Sequence, residues 1–237
     1  MFPTKFLNLD YLSYNEALTL MWKLVDIKRS LRCPEVLIFL EHEPTLTMGR
    51  RAKTSDILVS QEYLAREKIA VHRVERGGLV TYHGPGQLVV YPVFNIHTMG
   101  LNVDKLVYGL EEVVVKTLSS FGIIGNRKEG YRGVWVYQDK IASIGVAIRG
   151  GITYHGLALN YGIDLSYFDL IKPCGLTGIR MTSISKILKE SINPSRLRET
   201  MASNFIQQFE LDLDEWSLNQ VEEDIGQLST AGTGPVT

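Results

Sequence analysis

Cysteine is scarce: Cys33 and Cys174 are the only two in 237 residues. So few thiols, so far apart, exclude a disulfide framework and a paired-cysteine zinc site, and a reducing, cytoplasmic setting is expected. An excess of one charge is also missing, since 25 Lys+Arg meet 26 Asp+Glu for a formal net charge of −1. Without a global positive field, a general nucleic-acid binder is excluded. A local basic patch for an acidic protein partner is not. Long apolar runs are absent too. Runs such as Val36–Leu40 are short against the roughly 18 residues that a membrane span needs. Met1–Asp10 has one lysine and no apolar core, so no signal peptide is expected there. Internal repeats are lacking. With 45% hydrophobic and 22% charged residues, the chain has the composition of an ordinary soluble domain with one large core.

The residues present divide into helical and strand-like segments. Ser13 with Glu16 is a capping-box pattern, and Tyr14, Ala17, Leu18, Met21 and Val25 follow at helical spacing, so the first element expected is a helix over 14–30. Val36–Leu40 reads as a buried strand, Pro44–Met48 as a strand or extended segment, Gln61–Lys68 as a short helix and Val71–Val74 as a strand. Gln87–Phe94 is strand-like, with Pro92 expected at an edge or a bulge. Asn102 caps a second long helix to about Phe121, striped by Val103, Leu106, Val107, Leu110, Val113, Val114, Thr117 and Leu118. Gly133–Tyr137, Ile141–Ile148 and Ile152–Asn160 are three strands joined by short turns. A short helix over 182–188 follows, then one from Pro194 to about Phe209. The organisation expected is one α+β domain over 1–220 around a mixed sheet with flanking helices. Residues 221–237, polar and Gly/Ser/Thr-rich from Gly226, are expected to form a disordered tail.

Three segments carry chemistry. Arg76 to Gln87 packs four glycines, a proline, an arginine and a histidine between two strands. Glycines allow close backbone approach to a ligand and expose N–H donors. The segment is not a phosphate loop, because no Gly-Lys-Ser/Thr follows and no Gly-x-Gly-x-x-Gly opens a helix. Next come small residues in alternation. If the strands at 141–148 and 152–160 pair, Ser143, Gly145, Ala147, Gly156 and Ala158 line one face. That face suits either a closely packed helix or an apolar ligand. Last, Cys174 lies between a proline and a glycine, ahead of a segment that opens a helix. A free thiol has a pKa near 8.5, so a nearby cation would raise its thiolate fraction. Cys33 reads as a structural residue.

At these segments the chain resembles the lipoyl(octanoyl) transferases. Arg76-Gly77-Gly78 through Thr81-Tyr82-His83-Gly84-Pro85-Gly86-Gln87-Leu88 and Tyr91 fits the family's first signature. Lys140 to Gly145 with Thr153 to Asn160 fits its second, and Pro173-Cys174-Gly175-Leu176 with Thr182-Ser183 its third. The resemblance implies the catalytic domain shared with biotin and lipoate ligases, and transfer of an octanoyl group from acyl carrier protein to a lysine of lipoyl domains. By matched position it implies Cys174 as the nucleophile carrying the acyl thioester, and Lys140 as the lysine that lowers the thiol pKa and shuttles protons. It further implies Arg76, Gly77, Gly78, Leu79, Val80, Thr81, Tyr82 and His83, then Ser143, Ile144 and Gly145, then Gly156, Leu157 and Ala158, as the lining of the acyl site. No cofactor or metal is expected. The partners implied are octanoyl-acyl carrier protein, lipoyl domains of 2-oxoacid dehydrogenases and the glycine cleavage H protein, with neither nucleic acid nor membrane.

With that chemistry, His83 is placed to polarise the thioester carbonyl, and N–H groups near Gly77-Gly78 to form an oxyanion hole. Arg50-Arg51-Lys53 and Arg127-Lys128 are either carrier-docking groups or solvated charge. The alternative is an ATP-dependent ligase on the same scaffold. One conflict stands in the strand pattern. Plain alternation puts Lys140 on the face of Ala142 rather than Ser143, so a turn or bulge is required beside it.

Overall fold

In the computed structural model, which describes residues 1–30, 33–172, 179–221 and 223–224, the apolar run around Val36–Leu40 is β2 (Glu35–Glu41). Its residues face alternately into two cores: Leu37 and Phe39 into one, Val36, Ile38 and Leu40 into the other. A strand covered on both faces needs an unbroken apolar run, which is what the sequence has there. β2 pairs in parallel with β1 (Phe2–Tyr11) and antiparallel with β6 (Gln87–Val93). Beyond β6 come β10 (Ile152–Asn160), β9 (Asp139–Arg149), β8 (Tyr131–Val136) and β7 (Asn126–Lys128). At the opposite edge β11 (Leu211–Glu215) joins β1, completing a mixed sheet of eight strands.

Helices cover both faces. α1 (Tyr14–Ser30) buries Ala17, Leu18, Met21, Leu24 and Val25 against one side. Its capping box forms, with Ser13 N donating to Glu16 Oε2 at 3.1 Å and Glu16 N donating to Ser13 Oγ at 3.3 Å. The other side is covered by α3 (Val103–Ser120) and α5 (Pro194–Phe209), each started by an asparagine cap, Asn102 and Asn193. The first residue of the expected α3 stripe, Val103, stays exposed. A second sheet of three strands, in the order β4 (Ala70–Arg73), β3 (Thr45–Met48) and β5 (Val80–His83), packs with α2 (Gln61–Arg66) over a third apolar cluster. The short helix after Ser183 is α4 (Ile184–Leu188). Among the described residues no helix is long and apolar enough to cross a membrane.

Four strands were not expected. β1 precedes the helix read as the first element, β5 lies within the glycine-rich segment, and β7 and β11 are edge strands. The partners of β1, β5 and β11 are distant in sequence, with Phe2 pairing with Leu211, Thr4 with Glu35 and His83 with Thr45, whereas β7 is only three residues long and pairs with neighbouring β8. Local alternation carries little of that signal. Pro92 sits neither at an edge nor at a bulge. It lies in β6 between β2 and β10, opposite Leu37. Its missing N–H faces β10, where the ladder lapses between Val90–Leu157 and Asn95–Ile152 with no change of register. At the lapse His155 takes a left-handed backbone (φ 56°), its N–H turns to the Met21 sulfur, and the Thr153 hydroxyl donates to the Pro92 carbonyl. Side chains and one twisted residue thus replace the ladder bonds proline cannot make.

Candidate active site

The register between β8 and β9 settles the conflict at Lys140. Trp135 stands opposite Lys140, yet Val134 stands opposite Ala142, so Ile141 is an extra residue on β9. Such a bulge reverses the alternation on one side of it. Ile141 and Ala142 both enter the core, and Lys140 lines a cavity together with Ser143. The lysine is 4% exposed. Its side chain crosses Gly133, where a Cβ would lie 2.7 Å from Lys140 Cε and 3.3 Å from Nζ. Gly133 is pinned in turn by its N–H, which donates to the buried Glu111 carboxylate at 2.9 Å. The Lys140 backbone is held by the chain beyond Ile179. Lys140 N donates to the Arg180 carbonyl and Thr182 N to the Lys140 carbonyl, both at 2.9 Å. Met181 of that stretch lines the same cavity. Cys174 itself lies outside the described residues, as do residues 222 and 225–237 of the tail expected over 221–237, whose first residue, Val221, is instead buried in the core that α1 covers.

The cavity, about 630 Å³, is the size of a pocket for a small organic ligand. β9 and β10 pair as the small-residue pattern requires: Ser143 opposite Ala158, Gly145 opposite Gly156 and Ala147 opposite Tyr154. That face divides between core and cavity. Ala147 is outside the cavity, in the core that α1 covers, whereas Ser143, Gly145, Gly156 and Ala158 line the cavity with Ile144 and Leu157. The glycine-rich segment closes over them. Gly77 N donates to the Val146 carbonyl at 3.0 Å, and a Cβ on Gly145 would stand 3.0 Å from the Gly77 oxygen. Only glycine lets the two backbones approach so closely.

Arg76, Gly77, Gly78, Leu79, Val80, Thr81 and His83 all line the cavity, but Tyr82 does not. Strand alternation in β5 sends its ring into the third cluster, stacked on Tyr167 with centroids 4.7 Å apart. Hydrogen bonding in this segment bears on two roles expected of it. The Gly77 N–H is spent on Val146, so it cannot serve an oxyanion. Both nitrogens of His83 are engaged, Nδ1 with Gln87 Oε1 at 2.7 Å and Nε2 with Thr47 Oγ1 at 3.3 Å. Burial, with His42 and Arg76 nearby, holds its pKa well below the usual value. His83 is therefore a neutral structural ring. Arg76 is clamped beneath it, donating from Nη2 to the Thr47 carbonyl at 2.6 Å and from Nη1 to the Gly77 carbonyl at 3.0 Å.

Three other lining residues were not among the expected site residues, although Tyr91 and His155 fall within the first and second signatures. Tyr14, Tyr91 and His155 come from α1, β6 and β10. With His42 they form a buried aromatic cluster in which His42 bridges the Leu12 carbonyl and the Tyr91 hydroxyl. Burial lowers the pKa of His42 to about 4 and of His155 to about 3. Among the described residues, no group of three His, Cys, Asp or Glu side chains is arranged to hold a metal ion. Arg50 and Arg51 are exposed at the cavity, their N–H groups donating to the Arg76 and Gly78 carbonyls. Arg127 is instead occupied by its own chain, 2.6 Å from Glu112 and stacked over Tyr108.

Comparison with known proteins agrees with this architecture. The lipoyl protein ligase A/B catalytic-domain family matches residues 13–206. An octanoyltransferase of Syntrophobacter fumaroxidans is 43% identical over 216 residues, covering 91% of this chain and 95% of that protein. One from Koribacter versatilis is 41% identical over 204 residues, covering 84% and 81%. The fold is also that of a putative lipoate protein ligase from T. acidophilum, at a TM-score of 0.71 and 18% identity over 95% of this chain and 94% of the other. Lipoate-protein ligase A bound with ATP superposes with a TM-score of 0.72 at 19% identity, covering 93% and 92%. With the family matched over residues 13–206 and a named octanoyltransferase 43% identical across 91% of this sequence, the chain belongs to the octanoyltransferases of the lipoyl protein ligase A/B catalytic-domain family.

Proposed function

We propose that residues 1–220 transfer an octanoyl (or lipoyl) group from acyl carrier protein to the lysine of a lipoyl domain through a thioester on Cys174. The acceptors would be 2-oxoacid dehydrogenases and the glycine cleavage H protein, in the cytoplasm. The observation that carries this reading is the placement of Lys140. A bulge turns the buried lysine into a cavity whose β9–β10 wall is made of small and apolar residues, and its backbone pairs with residues 180–182, a few positions past Cys174.

In the first step the Cys174 thiolate attacks the carbonyl carbon of the carrier thioester. A new C–S bond forms, the bond to the carrier sulfur breaks, and Lys140 gives that departing sulfur its proton. In the second step the acceptor lysine, as free amine, attacks the Cys174 thioester, losing its proton to Lys140 as the amide forms and the thiolate leaves. Charge pairing of Lys140 with the thiolate favours the reactive form of the nucleophile. The acyl chain would lie along the cavity wall formed by Ser143, Gly145, Gly156 and Ala158, and its burial contributes about 0.8 kcal/mol per methylene.

The test is intact-protein mass spectrometry after mixing with octanoyl-acyl carrier protein without ATP. One added octanoyl group on the wild type, absent from Cys174→Ser, is expected. An unmodified wild type, or an equal adduct on Cys174→Ser, overturns the reading. A requirement for ATP would return the chain to ligase chemistry.

A further inference from the structure

We propose that Gln87 and Asn160 are positioning residues, which hold the Lys140 backbone in place through a hydrogen-bond relay that starts at Arg76. The inference rests on the transfer reading above, in which Lys140 is the proton carrier.

The links span 2.7–3.3 Å, and their directions follow from the groups at the two ends. Arg76 can only donate, and its Nε and Nη2 lie 3.2 and 2.8 Å from Thr47 Oγ1. The Thr47 hydroxyl proton is thereby left for His83 Nε2 at 3.3 Å. At the far end the Thr182 carbonyl can only accept, so the Asn160 amide nitrogen faces it at 3.1 Å. Asn160 Oδ1 must then accept from Gln87 Nε2 at 2.9 Å, which donates also to the Tyr82 carbonyl at 3.2 Å. Gln87 Oε1 therefore accepts from His83 Nδ1–H at 2.7 Å. Backbone carbonyls and a guanidinium thus set both amides and the histidine tautomer.

The relay ends at the machinery. Thr182, whose carbonyl takes the last bond, donates its own N–H to the carbonyl of Lys140. Gln87, Asn160 and Thr182 are all buried, so no water competes for these bonds and an interrupted link leaves an unpaired polar group. The strain would be relieved where the relay meets the pairing between Lys140 and 180–182. A shift of about 1 Å in a catalytic group is enough to slow chemistry roughly 100-fold. Neither Gln87 nor Asn160 lines the cavity, so substrate binding should not feel the change.

The experiment measures steady-state octanoyl transfer by the full chain carrying Asn160→Ala or Gln87→Glu. The second substitution keeps an acceptor for His83 but replaces the amide donors with a second carboxyl oxygen, which faces the Tyr82 carbonyl and Asn160 Oδ1 and brings a buried acidic group. Cooperative melting, a kcat lowered roughly 10- to 100-fold and a KM for the octanoyl donor within about threefold of wild type are expected. A kcat within about twofold of wild type, or a loss confined to KM, overturns the proposal. If Asn160→Ala does not fold, Gln87→Glu decides, and if neither melts cooperatively the residues are structural and the proposal fails. An inactive wild type would instead overturn the transfer reading itself.

Discussion

Lys140 and Gly133 are one unit. The lysine reaches the cavity only because nothing projects from Gly133, which sits at φ 118° with the Ala142 carbonyl 2.4 Å from where a Cβ would be. Lys140→Ala should keep the melting curve of the wild type and slow transfer by about 100-fold or more. Near-normal turnover would remove the lysine from the reaction. Gly133→Ala should slow transfer as well, and also lower the melting temperature, since its Cβ meets backbone as well as the lysine. Thermal unfolding beside a single-turnover assay separates the two effects. The two cysteines part company at this scale. Burial raises the Cys33 thiol pKa, which suits the inert role read for it.

Elements set which face a residue occupies, and this is where the sequence was legible in part. The helices at 14–30, 103–120 and 194–209 were readable because caps and periodicity are local. The strand at Val36–Leu40 showed for a similar reason, as a run covered on both faces. Three things were not readable: the strand at β5, the turn of Tyr82 away from the cavity into the third cluster and the tolerance of Pro92 in a central strand. Each depends on a partner far along the chain. The need for a bulge at Lys140 was legible as a contradiction in alternation, although its location at Ile141 was not. β10 is tight where it skirts Pro92. A Cβ on Gly156 would lie 2.1 Å from the Val90 oxygen and 2.6 Å from Pro92 Cδ. Gly156→Ala should therefore cost about 1–3 kcal/mol, seen as a melting temperature lowered by about 3–10 °C. An unchanged melt would mean that the strands separate freely.

At the scale of the whole molecule, three buried histidines make stability depend on pH. His42, His155 and His83 have folded pKa values of about 4, about 3 and well below normal, against about 6.5 when unfolded. The unfolded chain therefore takes up protons between pH 6.5 and about 4 that the folded chain refuses. Their contribution is fully present above 6.5 and is lost as the pH falls through that window. Each histidine costs up to about 1.4 kcal/mol per pH unit there. The urea midpoint should fall clearly from pH 7.5 to 5.5, above the range where ordinary carboxylates titrate. A flat profile would mean these rings are not kept neutral by the fold. By itself the sequence determined the helices and their caps, the family and the glycines that permit close backbone approach, because those are recorded in neighbouring residues. Only the tertiary structure decided that Lys140 faces the cavity, that His83 and the Gly77 N–H are already spent, and that Gln87 and Asn160 join the two sides of the site. Those outcomes are fixed by register and hydrogen-bond partners contributed from distant strands.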